Sequence, residues 1–267
     1  MPIHYARRLI GRSRSPDADR HLGYFLAAMA GAINAVGFGM LGQYTSHMTG
    51  MVSTLGERLV GGEGGAAVAA GIAIGAFLAG AACCTMLIRH ARHRGLHAEF
   101  ALPLLLESAL ILAVALAGRG GTASVRLHAW ATISALTFAM GLQNALITKI
   151  SRGEIRTTHV TGIVTDLGIE CGRALSSLRE PRPPHAFPGS FPFERARLLA
   201  MLLLAFVLGC VAGTFAVQRH GLSTLVPIAL AIGAVALVPA FDDLRPRPVP
   251  SGQPDAGEAG AQDPGAR

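Results

Sequence analysis

Residues 45–56 read TSHMTGMVSTLG, and residues 157–168 read TTHVTGIVTDLG. The two stretches align over their whole length without a gap, and polar positions match polar positions. The histidine and both glycines are kept in the second copy. A match of this length indicates an internal duplication, in which each half of the chain carries one copy of a polar motif.

The composition around these motifs is that of a membrane protein. Hydrophobic residues make up 51% of the chain and charged residues only 15%, whereas about 25% of a typical soluble domain is charged. Six apolar runs approach the length needed to cross a hydrocarbon core of ~30 Å. Because backbone polar groups in lipid must be paired within the segment, these runs are predicted to be helices. They are residues 22–41, 66–88, 101–117, 127–147, 196–217 and 222–240.

Two further matches extend the duplication into the apolar runs. The pattern GxxNA at 31–35 recurs at 141–145, and the pattern AFxxG at 76–80 recurs at 205–209. Each half therefore reads as span, motif, span, span, and an odd number of spans places the second half upside down in the bilayer. We predict an all-α membrane protein with six transmembrane helices in an inverted 3+3 repeat. Each half adds a short re-entrant or interfacial helix that carries the T-[ST]-H-x-T-G motif.

The repeats divide the chain into four parts. Residues 1–21 form a basic tail, 22–117 the first repeat, 118–241 the second repeat with a Pro-rich loop at about 176–193, and 242–267 a tail expected to be disordered. Most of the 23 Lys and Arg residues fall in both tails and in the connections after the second and fourth spans. The positive-inside rule then predicts cytoplasmic termini in a multi-pass membrane protein.

The motifs supply the main candidate site residues. The stretches 48–60 and 160–174, which follow the two histidines, are too short to cross a bilayer. A short helix whose N-terminus points inward offers N–H groups and a positive dipole end to an anion or a carbonyl group. The alternative is that the histidines only bond to neighbouring helices. The candidates for a solute or proton pathway are His47, Thr49, Gly50, His159, Thr161 and Gly162.

Polar side chains within the predicted spans are a second set of candidates. Asn34, Gln143 and Asn144 are expected to support breaks in the first and fourth helices, and the alternative is hydrogen bonding between helices. Glu107 is the single acidic residue within a predicted span. Ionisable residues at this depth are a functional hypothesis by default, so Glu107 joins the proton-pathway candidates. The alternatives are a neutral, hydrogen-bonded carboxyl group and a carboxyl group that faces the membrane interface.

No catalytic residues, metal site or cofactor are expected. The histidines at positions 90, 93 and 97 are interleaved with arginines, whose charge opposes a bound cation, so a solvated basic loop is predicted there. The chain lacks H-E-x-x-H and G-x-S-x-G motifs.

Four segments together resemble the signature of the YoaK family of bacterial six-span inner-membrane proteins, whose function is unknown. They are SHMTG at 46–50, LLLE at 104–107, GLQN at 141–144 and TTHVTG at 157–162. The family pattern often has Asn after the first Thr-Gly, where this chain has Met51. The resemblance covers about residues 22–240 and implies a topology, but it implies no activity.

The leading functional hypothesis is a transporter or channel for a small polar or anionic solute, with a proton link through Glu107 as one version. One alternative is a membrane-embedded enzyme that uses His47 or Glu107 as base. Another is a scaffold or sensor that transports nothing. The expected partners are the lipid bilayer and the solute, nucleic acid is not expected, and self-association as a homo-oligomer stays open.

Overall fold

A computed structural model describes residues 16–96, 98–118, 125–177 and 192–244. The predicted loop at 176–193 and both tails therefore lie mostly outside the described residues, as does His97. The described part is helical throughout, with eight α-helices and a short 3-10 helix at Gly221–Thr224. The α-helices are α1 Pro16–Leu41, α2 Met48–Val60, α3 Gly64–His93, α4 Ala101–Ala117, α5 Val125–Ile150, α6 Val160–Ser177, α7 Pro192–His220 and α8 Leu225–Leu244.

Four helical segments are long and apolar enough to cross a membrane. They are Pro16–Leu41, Gly64–His93, Ala129–Ile150 and Phe193–Leu237. The last segment contains two helices, since it runs through α7, the 3-10 helix and most of α8. The apolar helix Ala101–Ala117 has 17 residues, which is at the lower limit for crossing a bilayer. The architecture is consistent with a multi-pass membrane protein.

The long helices pack in two similar pairs. α1 packs along α7, and α3 packs along α5. α4 packs against α8, while the short helices α2 and α6 lie against α3 and α7, respectively. The buried core is built from apolar residues of the long helices, including Leu26, Leu104 and Leu142.

Glycines let the paired helices approach each other closely. A Cβ atom on Gly31 of α1 would lie 2.1 Å from the carbonyl oxygen of Phe206 in α7. A Cβ atom on Gly141 of α5 would lie 2.0 Å from the carbonyl oxygen of Phe77 in α3. No side chain fits at either distance, so only glycine permits these two crossings.

α1 runs without interruption past Asn34 and ends at Leu41. The expected break within this first span is therefore wrong, and so is the break expected at Asn144, because α5 continues to Ile150. The chain instead leaves the helix in the connections that follow, at residues 42–47 and 151–159. Gly42 has φ 69°, a left-handed conformation that glycine adopts without strain. The interruptions thus lie at the motifs themselves.

Candidate functional site

The first motif is organised by the side chain of Asn34, which is only 4% exposed. Its Oδ1 accepts hydrogen bonds from the backbone N–H of Thr45 at 2.9 Å, the hydroxyl of Thr45 at 3.1 Å and the backbone N–H of Ser46 at 3.1 Å. Its Nδ2 donates to Oγ of Ser46 at 2.6 Å. One amide therefore holds the turn that delivers the chain from α1 to His47.

The second motif is attached in a related way. The hydroxyl of Thr158 donates to Oδ1 of Asn144 at 2.7 Å, and Nδ2 of Asn144 donates to the carbonyl oxygen of Met140 at 2.8 Å. In the aligned repeats Asn144 corresponds to Asn34, and Thr158 corresponds to Ser46. Each asparagine thus bonds to the hydroxyl residue that precedes the histidine of its own half.

The imidazole rings lie over the first turns of α2 and α6. A Cβ atom on Gly50 would lie 2.1 Å from Cδ2 of His47, and a Cβ atom on Gly162 would lie 2.3 Å from Nδ1 of His159. The glycine of each motif therefore makes room for the ring of its histidine. His47 stands at the N-cap of α2 without a side-chain cap hydrogen bond, so its ring nitrogens are not used to cap the helix.

The two motifs line the same cavity, which has a volume of about 890 Å³. The N-terminal ends of both short helices reach it, through Met48 and Thr49 of α2 and Val160 and Thr161 of α6. Both asparagines line it as well. From the motifs and their supporting residues the lining includes Asn34, Tyr44, Ser46, His47, Met48, Thr49, Asn144, Thr158, His159, Val160 and Thr161.

The cavity is basic at one end. Lys149, near the end of α5, and Arg156, within the second connection, line it, and none of the described residues in the lining is acidic. Within the described part of the chain, neither cation has an ion-pair partner. The remaining wall is mostly apolar, with Phe77 and Phe206 at corresponding positions of the two repeats.

A second cavity of about 1040 Å³ adjoins this basic end and shares Arg156 and His159 with the first. Its other arginines are paired with carboxylates. Arg195 lies 3.1 Å from Asp166, Arg173 lies 2.9 Å from Glu170, and Arg20 lies 3.8 Å from Glu194. Arg156 and His159 therefore stand at the junction between the shared cavity and a charged vestibule.

The other predicted site residues lie away from the first cavity. Glu107 is fully buried in α4 and is not part of the cavity lining. Neither of its carboxylate oxygens has a hydrogen-bond partner among the described residues. Gln143 is also buried, and its Nε2 donates to the carbonyl oxygen of Leu26 at 2.9 Å. Gly50 supports His47, while Gly162 lines the second cavity.

Sequence reasoning missed the basic and aromatic part of the site. The sequence places Lys149 and Arg156 in a basic cytoplasmic connection. The phenylalanine of the AFxxG pattern indicates only the duplication. The phenylalanine could have been found, because a residue kept in both repeats beside a motif is a candidate for the shared site. Among the residues that the structure describes, no cluster of three or more His, Cys, Asp or Glu residues could hold a metal ion.

A family model described as "Protein of unknown function (DUF1275)" matches residues 22–238, and the chain belongs to this family. No curated protein and no solved structure matches the chain. The family description states no activity, so the function has to be argued from the site.

Proposed function

We propose that the protein is a transporter or channel that moves a small polar or anionic solute across the bacterial inner membrane. The proposal rests on one observation, which is that the two motifs, separated by more than a hundred residues in sequence, line a single cavity. A cavity between two duplicated halves is the usual position of the solute site in transporters built from inverted repeats.

The six-span inverted 3+3 repeat is part of this proposal, and the helix pairing supports a two-fold relation between its halves. If the second repeat is aligned with the first, α5 replaces α1, α6 replaces α2, α7 replaces α3 and α8 replaces α4. Under this replacement the pair α1–α7 maps onto the pair α5–α3, which is also packed, and the pair α4–α8 maps onto itself. The close contact of Gly31 with Phe206 likewise becomes that of Gly141 with Phe77. Such an exchange is what a two-fold relation between the halves requires.

In the proposed mechanism the solute contacts Thr49 and Thr161 at the starts of α2 and α6. The first N–H groups of a helix have no partner within the helix, so they can donate to solute oxygens, and the helix dipole favours negative charge there. His47 and His159 lie beside these positions and orient the solute or exchange a proton with it. Asn34 and Asn144 keep both helix starts in place from the long helices α1 and α5.

The proposal includes a proton link through Glu107 only as an indirect effect on the solute site. Because Glu107 is outside the cavity lining, it would have to act through the packing of α4 and not by contact with the solute. Cytoplasmic termini and closer membership of the YoaK family also remain predictions of the sequence. With the termini inside, the charged vestibule opens to the cytoplasm.

Uptake into proteoliposomes tests the proposal. The full chain is reconstituted, and entry of radiolabelled urea, acetate, benzoate and phosphate is measured. We expect at least one of these probes to enter faster than into protein-free liposomes. The double change His47→Ala and His159→Ala should abolish that difference, since it removes both imidazoles from the cavity.

The matched control is the double change His90→Ala and His93→Ala, which removes two exposed histidines from the end of α3. Its uptake should equal that of the unchanged protein. Equal uptake by the His47/His159 variant, or no uptake of any probe above protein-free liposomes, would contradict the proposal.

A further inference from the structure

The charges of the shared cavity point to a narrower class of solute. We propose that the site binds an organic anion with an apolar body, such as a small aromatic carboxylate, whose negative group lies against Lys149 and Arg156. This inference rests on the proposed function for the identity of the site as a solute site. Binding can nevertheless be measured without any transport.

The first support is the unbalanced positive charge. Lys149 and Arg156 both line the cavity, and no acidic side chain of the described part of the chain lines it with them. The arginines of the neighbouring vestibule differ, since Arg20, Arg173 and Arg195 are each within 4 Å of a carboxylate. Both cations are exposed at the cavity, so their side chains are accessible to a bound anion, and charge-assisted hydrogen bonds are stronger than those between neutral groups.

The second support is that the charge is present once, whereas the histidine motif, the asparagine and the phenylalanine of the site are each present twice. In the aligned repeats Lys149 corresponds to Gly39, and Arg156 corresponds to Tyr44. Tyr44 also lines the cavity, where its ring stacks on Phe38 with a centroid distance of 4.7 Å. The two ends of the cavity therefore differ, and one basic end gives a bound anion a preferred orientation.

The third support is the apolar wall. Phe77 and Phe206 line the cavity together with small apolar residues, which are Ala81, Ala145, Val160 and Cys210. A wall of this kind favours a solute that buries carbon atoms, because removing apolar surface from water is favourable. The volume of about 890 Å³ lies within the ~300–1,000 Å³ of ordinary organic-ligand pockets.

Equilibrium dialysis of the full chain in a non-ionic detergent tests the inference. The probes are benzoate, its neutral counterpart benzamide, and inorganic phosphate, which carries charge without an apolar body. We expect benzoate to bind about tenfold more tightly than benzamide, as for the loss of one charged hydrogen bond. Benzoate should also bind more tightly than phosphate, which has no apolar surface to remove from water. Arg156→Gln and Lys149→Gln should each weaken benzoate binding about tenfold, and Phe206→Ala should weaken it as well.

Matched controls distinguish the site from general charge. Arg197→Gln removes an exposed arginine of α7 that lines neither cavity, and Phe215→Ala removes an exposed phenylalanine of the same helix. Both should leave benzoate binding unchanged. Equal binding of benzamide, equal binding of phosphate, or benzoate binding that is unaffected by Arg156→Gln would overturn the inference.

Two further outcomes separate this inference from other accounts. Displacement of benzoate by phosphatidylglycerol at lower concentration than unlabelled benzoate would assign the cavity to a lipid and overturn the inference. Benzoate binding that depends on Arg156, without uptake of any probe into proteoliposomes, supports the inference and contradicts the proposed transport. Uptake of urea alone, lost in the His47/His159 variant, would support the proposed transport and contradict the inference of an organic anion.

Discussion

At the scale of single residues, Asn34 and Asn144 occupy the same place in the two repeats but make different numbers of hydrogen bonds. Asn34 makes four to the first connection and Asn144 makes one to the second, together with one to its own helix. Two of the four bonds at Asn34 come from backbone N–H groups. Such groups are costly to leave unpaired when they are buried.

We therefore expect Asn34→Ala to destabilise the protein more than Asn144→Ala does. The first change should lower the free energy of unfolding by about 1–3 kcal/mol because it leaves buried donors without partners, and the second should lower it by about 1 kcal/mol. Unfolding of the purified protein by SDS titration, followed by circular dichroism, measures both. An equal or larger loss for Asn144→Ala would show that Asn34 does not organise its connection as described.

Gly50 and Gly162 illustrate what a single sequence can and cannot predict about individual residues. Their repetition next to the histidines was visible in the sequence and marked them as candidates. Their role as the surface on which each imidazole ring rests depends on the turn geometry at residues 47 and 159, which no pattern of residue types specifies. For Glu107 the sequence predicted the depth but not the side of α4 that it occupies, and the structure places it away from the cavity.

At the scale of helices, the crossings α1–α7 and α3–α5 determine the spacing of the walls of the cavity. Gly141 and Gly80 of the second crossing each lie against a backbone carbonyl group, that of Phe77 and that of Phe138, respectively. By contrast, a Cβ atom on Gly75 of α3 would meet nothing within 4 Å. α3 therefore carries one glycine that is tightly packed, Gly80, and one that lies in open space, Gly75.

Gly141→Ala and Gly75→Ala should thus differ in their effect on the free energy of unfolding. The first forces α3 and α5 apart and should lower the free energy of unfolding by about 1–3 kcal/mol. The second adds helix propensity in open space and should leave it unchanged or raise it by up to about 1 kcal/mol. Thermal unfolding in detergent compares the two variants with the unchanged protein. Similar melting temperatures for both variants would contradict the close approach of α3 and α5.

The helices themselves were largely predictable, because apolar length and composition determine a membrane helix. The predicted run 101–117 coincides with α4, and the predicted stretch 48–60 coincides with α2. α1 begins before its predicted run, at Pro16, because its first turns are polar and carry Asp17 and Asp19, which hydropathy cannot detect. The pairing of helices was not predictable in this way, since it depends on which small residues face each other.

On the scale of the whole molecule, the orientation of the second half relative to the first depends on how many helices cross the bilayer between the motifs. If α3, α4 and α5 all cross, the two motifs begin on opposite sides and the halves are inverted. α4 is the shortest of these three helices, and its 17 residues extend only about 25 Å as an α-helix. A helix that failed to cross would place both motifs on the same side and leave the shared cavity without access from two compartments.

Cysteine labelling at the ends of the short helices decides this point most directly. Glu63→Cys, after α2, and Ser176→Cys, near the end of α6, are introduced singly into a chain whose four cysteines have been replaced by alanine. Both positions are exposed. A membrane-impermeant maleimide applied to intact spheroplasts should label the cysteine at position 63 and leave the one at 176 unlabelled until the membrane is permeabilised. Labelling of both positions from the same side would contradict the inverted arrangement, and with it the proposal of a solute path between the two motifs.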